Sequence, residues 1–197
     1  MLSGGNGVLI LKTMDDAQAG MLYETCMRRD FPPSELKSLS SILRMKRRDE
    51  YDVFGAYQPD GALAAYALLY HPAGERVALL DYLAVEPDCR RTGVGSMLLG
   101  MLRTYYAASA DVLLIECERP KAAPNEAQAR ERIHFYTQAG AQLTSVRICL
   151  FDVEYSILVL PCGERIPARD WAEQMLALYR QMLPKALFEQ NVRLIRA

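Results

Sequence analysis

The sequence predicts an α/β fold with a mixed, mostly antiparallel central sheet of about six to seven strands flanked by helices. Short apolar, β-branched runs alternate with segments whose apolar residues recur at helical spacing. Over residues 77–116, a strand, a glycine-containing turn, an amphipathic helix and an apolar strand follow one another, as in a parallel crossover unit. The length of 197 residues, 51% of them hydrophobic, indicates one domain over 1–197 with a sizeable core.

Strands are predicted where apolar residues concentrate between turn residues. The clearest pair is a hairpin around Gln58-Pro59-Asp60-Gly61, because proline, aspartate and glycine each favour a turn. The fully apolar run at 112–115 indicates a central strand that is covered on both faces. Three antiparallel strands are expected before the glycine-containing turn. The predicted strands are residues 8–11, 51–57, 63–70, 77–85, 112–116, 145–153 and 155–160.

Helices are predicted from apolar spacing and from residues that favour helix ends. Asp15 and Asp16 give an acidic start to the first helix, and Pro33-Ser34-Glu35 resembles an entry to the second. Gly140 follows the fourth helix at a position that favours a left-handed residue. The predicted helices cover about residues 15–29, 34–48, 93–109, 127–139 and 167–183.

Composition narrows the classes of function. A net charge of -1 and a pI near 6.2 lack the basic surplus of a nucleic-acid or polybasic membrane binder. Five cysteines without a C-x-x-C pair indicate reduced thiols, and two histidines without zinc spacing predict no metal. The first residues do not resemble a secretion signal, and no apolar run approaches a membrane span. We therefore expect a cytoplasmic protein.

The most informative segment joins the strand at 77–85 to the following helix. Helix N-terminal amides and their partial positive charge favour an anion, and Gly93 and Gly95 allow phosphate oxygens to approach the chain. Arginine side chains add charge-assisted hydrogen bonds. The predicted pyrophosphate-binding residues are Arg90, Arg91, Thr92, Gly93, Val94, Gly95 and Ser96.

Two other phosphate-binding loops fit this segment less well. A P-loop requires a Gly-Lys-Ser/Thr ending, which is missing here. A dinucleotide-binding fingerprint requires glycine or alanine at position 98, where Leu98 stands, and an acidic residue after a second strand. The remaining alternative is a purely structural turn that binds no ligand.

The pattern Arg90-x-x-Gly93-x-Gly95 resembles the acetyl-CoA-binding motif of the GCN5-related N-acetyltransferase (GNAT) superfamily. Phe135-Tyr136, with Tyr136 four residues before Gly140, and Glu116-x-Glu118-x-Pro120 are similar to further landmarks of that superfamily. The resemblance spans about residues 77–160. It implies acetyl-CoA as co-substrate and a strand that presents Leu83, Ala84 and Val85 to the pantetheine arm.

The sequence also departs from the superfamily pattern. Many members carry asparagine where Ala129 stands and an aromatic residue where Ala141 stands. The first departure removes a contact to CoA, which Asn125 replaces only if its loop lies close. The second affects local packing.

Acetyl transfer to an amine requires a proton acceptor, because an alkylammonium group is mostly protonated at neutral pH. Glu116, at the end of the central strand, is the first candidate, and Glu118 and Asp81 are alternatives. Each of these carboxylates has an alternative role in an ion pair with a nearby arginine.

The resemblance assigns Tyr136 as the proton donor to the CoA sulfur, whereas spacing alone makes it a half-buried tyrosine on a sheet-facing stripe. The backbone N–H of Val85 is a candidate donor to the thioester carbonyl. A covalent route through Cys117 or Cys89 with His134 is a less favoured alternative.

The predicted function is acetyl transfer to a primary amine by direct attack in a ternary complex. The sequence does not identify the acceptor, which is a small molecule or a peptide. It also does not decide whether the protein forms a homodimer. A catalytically inactive CoA-binding regulatory or interaction module is the second reading. A structural protein whose turn binds nothing is the third.

Overall fold

The computed structural model describes residues 8–195, so the expectation about a secretion signal, which concerns residues 1–7, lies outside the described residues. The strands are β1 (Ile10–Thr13), β2 (Tyr51–Tyr57), β3 (Leu63–Tyr70), β4 (Val77–Val85), β5 (Val112–Glu118), β6 (Gln142–Leu150), β7 (Val153–Pro161) and β8 (Val192–Leu194). The helices are α1 (Asp16–Leu22), α2 (Arg28–Asp30), α3 (Leu39–Lys46), α4 (Val94–Tyr106), α5 (Glu126–Gln138), α6 (Trp171–Met182) and α7 (Lys185–Asn191). A π-helical segment, Tyr23–Met27, joins α1 to α2, and a 3-10 turn, Pro87–Cys89, follows β4.

The eight strands within residues 8–195 form a sheet in the order β1-β2-β3-β4-β5-β7-β6-β8. The pairs β1/β2, β2/β3, β5/β7, β6/β7 and β6/β8 are antiparallel, whereas β4 and β5 are parallel. The prediction of a mixed, mostly antiparallel sheet with flanking helices is therefore confirmed. The count exceeds the predicted six to seven because the three-residue strand β8 was not anticipated.

The chain divides into two compact units. The first contains the described residues up to Ala73 together with Asp81–Leu102, and the second contains Gly74–Leu80 together with the described residues from Arg103 onward. Strand β4 contributes its first four residues to the second unit and its last five to the first. The expectation of a single domain stays a prediction.

The hairpin of the first unit has the predicted bounds. Strands β2 and β3 pair antiparallel, with Phe54 opposite Ala67, and Gly61 in the connecting turn has a φ of 89°. Glycine adopts this left-handed conformation without the steric cost of a Cβ atom. The turn residues therefore fix the register of these strands.

The first helix begins as predicted, at an acidic cap. The Asp15 carboxylate accepts the Gln18 N–H, and the Gln18 side chain accepts the Asp15 N–H, which together form a capping box. The helical stretch continues through the π-helical segment to Asp30. The sequence pattern gave no sign of the π-helical segment, although the whole stretch ends within one residue of the predicted helix.

The second predicted helix starts later than expected. Helix α3 begins at Leu39, and the Ser38 hydroxyl, not Ser34, caps it by accepting the Ser41 N–H. The residues before it are held outside the helix by Tyr82, whose hydroxyl donates to the Glu35 carbonyl and accepts the Lys37 N–H. A contact distant in sequence thus overrides the local helix signal.

The central strand of the second unit is buried as predicted, since its residues 112–115 are at most 1% exposed. It pairs in parallel with β4 from Val77↔Val112 to Leu80↔Ile115, and with β7 along its whole length. Glu116 is therefore the first residue of β5 beyond the parallel pairing.

The predicted boundary between the last two long strands was wrong. Strand β6 starts three residues earlier than expected and ends at Leu150, and Phe151 and Asp152 form a turn with φ values of 48° and 64°. Two successive left-handed residues match the twist of a tight hairpin, although Phe-Asp lacks the usual glycine or asparagine.

Helix α6 lies inside the predicted C-terminal helix, whereas α7 and β8 were not predicted. Among residues 8–195, no helix combines the length and apolarity needed to cross a membrane.

Candidate functional site

The turn between β4 and α4, in the first unit, has the backbone geometry expected of an anion site. Arg91 and Gly93 adopt left-handed φ values of 62° and 87°. Helix α4 then begins at Val94, and Met97 N–H makes its first bond, 3.0 Å from the Gly93 carbonyl oxygen. The amides that precede this bond, those of Val94, Gly95 and Ser96, have no backbone acceptor in the described part of the chain. Three donors therefore remain available at the N-terminus of a 13-residue helix.

The surface of this turn is open. Thr92, Gly93 and Ser96 are exposed, and a Cβ atom built on Gly93 meets no heavy atom within 4 Å. The Thr92 hydroxyl donates to the Cys89 carbonyl at 2.6 Å, so this side chain fixes the turn from within. Space and backbone donors thus occur together at Gly93.

The two arginines of the turn have different surroundings. The Arg90 guanidinium donates to the Val85 carbonyl at 3.0 Å and to the Asp30 carboxylate at 3.3 Å. Arg91 is exposed and makes no ion pair among the residues described. The sequence predicted both as phosphate ligands, but the structure commits Arg90 to the protein and leaves Arg91 facing solvent.

Asp30 is the centre of a buried network that anchors Arg90. Its side chain is 5% exposed and accepts hydrogen bonds from Arg29 and from the Tyr66 hydroxyl, the latter at 2.9 Å. Burial alone would raise the pKa of Asp30, but the bonds from Arg29 and Tyr66 outweigh burial and lower the pKa. Arg29 also binds both carboxylate oxygens of Glu86, each at 3.0 Å. The network therefore holds the helical stretch that ends at Asp30 against the end of β4.

The strand residues predicted to contact the pantetheine arm, Leu83, Ala84 and Val85, are half-buried at the end of β4 in this same unit. The first unit thus contains every predicted cofactor-binding residue. Asp81, an alternative base, also lies there, and its carboxylate binds Lys37 Nζ at 2.7 Å and the Tyr51 hydroxyl. Its oxygens therefore already have protein partners.

The second unit contains Glu116 and Tyr136. The half-buried Glu116 carboxylate accepts hydrogen bonds from the Tyr179 hydroxyl of α6, which lies 2.9 Å from each oxygen. Glu118, two residues on, lies 3.6 Å from Arg132 of α5 in an ion pair. Sequence reasoning did not find this partner, because spacing along one helix does not reveal a contact with another element.

Tyr136 is buried on α5, and burial raises the pKa of its phenol, with smaller effects from Cys117 and Arg132. Its hydroxyl has no hydrogen-bond partner among residues 8–195. The ring packs edge-on against Phe135, with centroids 5.0 Å apart. Tyr136 therefore keeps its proton at physiological pH and has a donor to offer.

The covalent alternative fits poorly. Cys117 is completely buried, and burial raises the pKa of its thiol to about 12. His134 is exposed on α5.

Asn125 caps α5 by accepting the Gln128 N–H at 3.1 Å, so its side-chain oxygen is engaged in the helix cap. Within the described residues, no cluster of three or more histidine, cysteine or acidic side chains is arranged to hold a metal ion.

A model of the acetyltransferase (GNAT) family matches residues 18–140. Solved structures with a similar fold include the ribosomal-protein-S18-alanine N-acetyltransferase from Escherichia coli, 20% identical, with a TM-score of 0.59 over 83% of this chain and 99% of that one. A Bacteroides thetaiotaomicron protein assigned to the GNAT family is 19% identical, with a TM-score of 0.70 over 86% and 96%. The spermidine N-acetyltransferase from Vibrio cholerae in complex with CoA and spermine is 10% identical, with a TM-score of 0.59 over 78% and 95%. The comparison with curated proteins finds no match.

Proposed function

The chain belongs to the acetyltransferase (GNAT) family, and on that premise we propose that it transfers acetyl from acetyl-CoA to a primary amine by direct attack in a ternary complex. The observation that carries the proposal is the group of three amides without an acceptor at the N-terminus of α4, beside the open surface at Gly93. A helix N-terminus whose first amides lack an acceptor favours a phosphate-containing ligand. The family membership supports acetyl-CoA as that ligand.

The proposed binding mode uses only the first unit. The amides of Val94, Gly95 and Ser96 donate to the pyrophosphate, Arg91 adds a charge-assisted bond, and backbone groups of residues 83–85 hold the pantetheine arm. Acetyl-CoA is the substrate that supplies acetyl as a thioester. Arg90 acts indirectly in this proposal, because its guanidinium fixes Val85 and Asp30.

The different surroundings of the two arginines predict different outcomes on substitution. Arg91→Ala removes an exposed phosphate contact, so we expect the Kd for acetyl-CoA to rise about 5- to 10-fold at unchanged stability. Arg90→Ala removes two hydrogen bonds, so we expect it to lower the free energy of unfolding by about 1–2 kcal/mol. Calorimetric titration and urea denaturation of both variants measure these effects. Equal losses of affinity at unchanged stability would contradict the separate roles.

For the transfer step, we propose three roles for groups of this chain. Glu116 accepts a proton from the acceptor ammonium, directly or through water, so that the neutral nitrogen attacks the thioester carbon. The Val85 N–H stabilises the negative charge that develops on the carbonyl oxygen. As the carbon–sulfur bond breaks, Tyr136 donates a proton to the departing sulfur. The attacking nitrogen loses its remaining extra proton to solvent, and solvent returns a proton to Tyr136. Burial keeps the Tyr136 phenol protonated, as this role requires, and the raised pKa also makes the phenol a weaker acid.

Tyr136→Phe tests the donor. The CoA thiolate is already a fair leaving group, so we expect a fall in kcat of about 30-fold, smaller than for a strongly basic leaving group. The Kd for CoA should stay within a factor of two, because the phenol acts only on developing charge. Steady-state thiol release and CoA titration measure both quantities. Tyr105→Phe, which removes the hydroxyl of a half-exposed tyrosine on α4, is the control. Unchanged kcat in a folded Tyr136→Phe would assign this tyrosine to packing.

The proposed function as a whole is tested by titrating the protein with acetyl-CoA and then measuring thiol release with a panel of amines. The panel contains polyamines, amino acids, aminoglycosides, and peptides with a free N-terminus or lysine, since fold neighbours include spermidine and ribosomal-protein-alanine acetyltransferases. Micromolar binding followed by amine-dependent thiol release is expected. Absence of binding by the folded protein would overturn the proposal. We also propose a cytoplasmic location, which the five unpaired cysteines support.

A further inference from the structure

Helix α6 supplies a hydrogen bond to the proposed catalytic base from outside the matched family region. The family match ends at residue 140, whereas α6 covers Trp171–Met182. The Tyr179 hydroxyl on this helix lies 2.9 Å from both oxygens of the Glu116 carboxylate. A phenol that donates to both oxygens has an ionised carboxylate as its natural partner.

The position of Tyr179 is fixed by the packing of its helix. The Asp170 carboxylate caps α6 by accepting the Ala172 and Glu173 amides, and Arg169 just before the cap binds Asp111 at 2.5 Å. Near the other end, Gln181 donates to the Glu75 carboxylate at 3.0 Å. The buried residues of the helix are Met175, Leu178, Tyr179 and Met182. The hydroxyl is therefore held at Glu116 by contacts on both sides of it.

We propose that Tyr179 is a positioning residue for Glu116, which it holds in one orientation and in the ionised form that accepts a proton. This inference rests on the proposed function, in which Glu116 is the base. A hydrogen bond to the charged form of an acid favours that form and lowers the pKa. Without the Tyr179 hydroxyl, the carboxylate loses a donor in a half-buried site and its pKa rises.

Other ionisable groups pack around β5, and several of them are paired. Arg132 of α5 pairs with Glu118, and Glu154 of β7 binds Arg119 at 2.7 Å. On α6, Glu173 pairs with Arg180 at 2.6 Å. The remaining ionisable groups on β5, on β4, α5 and β7, which contact it, and on α6 are Asp81, Tyr82, Cys117, Glu126, Arg130, Glu131, His134, Tyr136, Tyr155 and Tyr179. The Tyr179 hydroxyl lies 2.9 Å from both oxygens of Glu116, so we expect its hydrogen bond to contribute to the ionisation of that carboxylate.

The test replaces Tyr179 with phenylalanine and measures the pKa of Glu116 directly. Carboxyl-¹³C NMR, with the Glu116 resonance assigned by its loss in Glu116→Gln, should show a pKa raised by about one unit. The pKa of the acid limb in the pH profile of kcat/KM should rise by the same amount. The value of kcat/KM should therefore fall about tenfold at pH values below this pKa and change little at pH values above it. The pH profile is repeated with two acceptor amines of different pKa. A limb that moves with the amine belongs to the acceptor, and a limb that stays in place belongs to the enzyme.

Controls separate positioning from folding. Tyr105→Phe removes a hydroxyl elsewhere and should leave both the pKa of Glu116 and the acid limb unchanged. If Tyr179→Phe does not fold, 3-fluorotyrosine at position 179 keeps the shape and donates more strongly, so the pKa of Glu116 should fall instead. An unchanged pKa in either folded variant overturns the inference. The NMR titration needs no turnover, whereas failure of the wild-type protein to release thiol with any amine counts against the proposed function.

Discussion

Gly93→Glu is expected to abolish acetyl-CoA binding in a protein that remains folded. A Cβ atom at this position meets nothing within 4 Å, so the new carboxylate occupies the open surface beside the Val94, Gly95 and Ser96 amides. There it satisfies the helix N-terminus and repels a pyrophosphate of the same sign. We expect the Kd to rise by about 100-fold or more, which corresponds to roughly 3 kcal/mol of binding free energy.

The chain offers a closely matched control for this variant. Gly74 has a φ of 85°, against 87° at Gly93, and a Cβ atom there also meets nothing within 4 Å. Gly74→Glu therefore has the same backbone strain and the same added charge, in the turn that precedes β4, whereas the candidate anion site follows β4. Calorimetric titration should show wild-type affinity for Gly74→Glu. Similar losses in both variants would mean that strain, not the anion site, causes the effect, and normal binding by Gly93→Glu would exclude this turn as the pyrophosphate site.

The parts of the fold that the sequence predicted well depend on local interactions. Strands β2, β3 and β4 have the expected bounds because their apolar runs end at turn residues that act on the neighbouring backbone. The same holds for the turn at Gly93, since glycine spacing and a following amphipathic helix describe its geometry without tertiary contacts. Local rules therefore located the candidate cofactor site.

The parts that were missed depend on contacts between distant residues. Sequence reasoning gave Arg90 and Arg91 the same role, and the contacts of Arg90 with Val85 and Asp30 distinguish them. Helix α3 starts late because Tyr82, more than 40 positions away, holds Glu35 and Lys37. Where a side chain has two chemically acceptable partners, tertiary packing decides which one it binds. Spacing along the sequence does not encode that packing.

The candidate base shows the same limit, since sequence reasoning selected Glu116, Glu118 and Asp81 without ranking them by their partners. In the structure, Glu118 pairs with Arg132, and Asp81 pairs with Lys37. Glu116 binds the uncharged phenol of Tyr179. Tertiary contacts therefore give the three carboxylates different partners, which their spacing in the sequence does not reveal.

Glu116→Gln is expected to give the largest loss of turnover of any variant considered. Glutamine keeps the volume and an oxygen that accepts the Tyr179 hydroxyl, but it does not accept a proton from the acceptor ammonium at neutral pH. We expect kcat to fall by about 10²–10⁴-fold, the usual range for loss of a general base, while the Kd for acetyl-CoA changes less than about twofold. The acid limb of the pH profile should also disappear, because below its pKa a protonated Glu116 no longer accepts a proton and the variant lacks that group.

Two further substitutions test whether the role of base belongs to Glu116 alone. Glu118→Gln changes the same residue type two positions along β5, and we expect its kcat to stay within about threefold of wild type, as for a partly exposed ion pair. Asp81→Asn tests the third carboxylate and should lower stability, because Lys37 Nζ and Tyr51 lose their acceptor. A larger fall in kcat for either of these variants than for Glu116→Gln would transfer the role of base to that residue. If all three variants retain wild-type kcat, deprotonation of the amine occurs in solvent, and the pH profile should then follow the pKa of the acceptor alone.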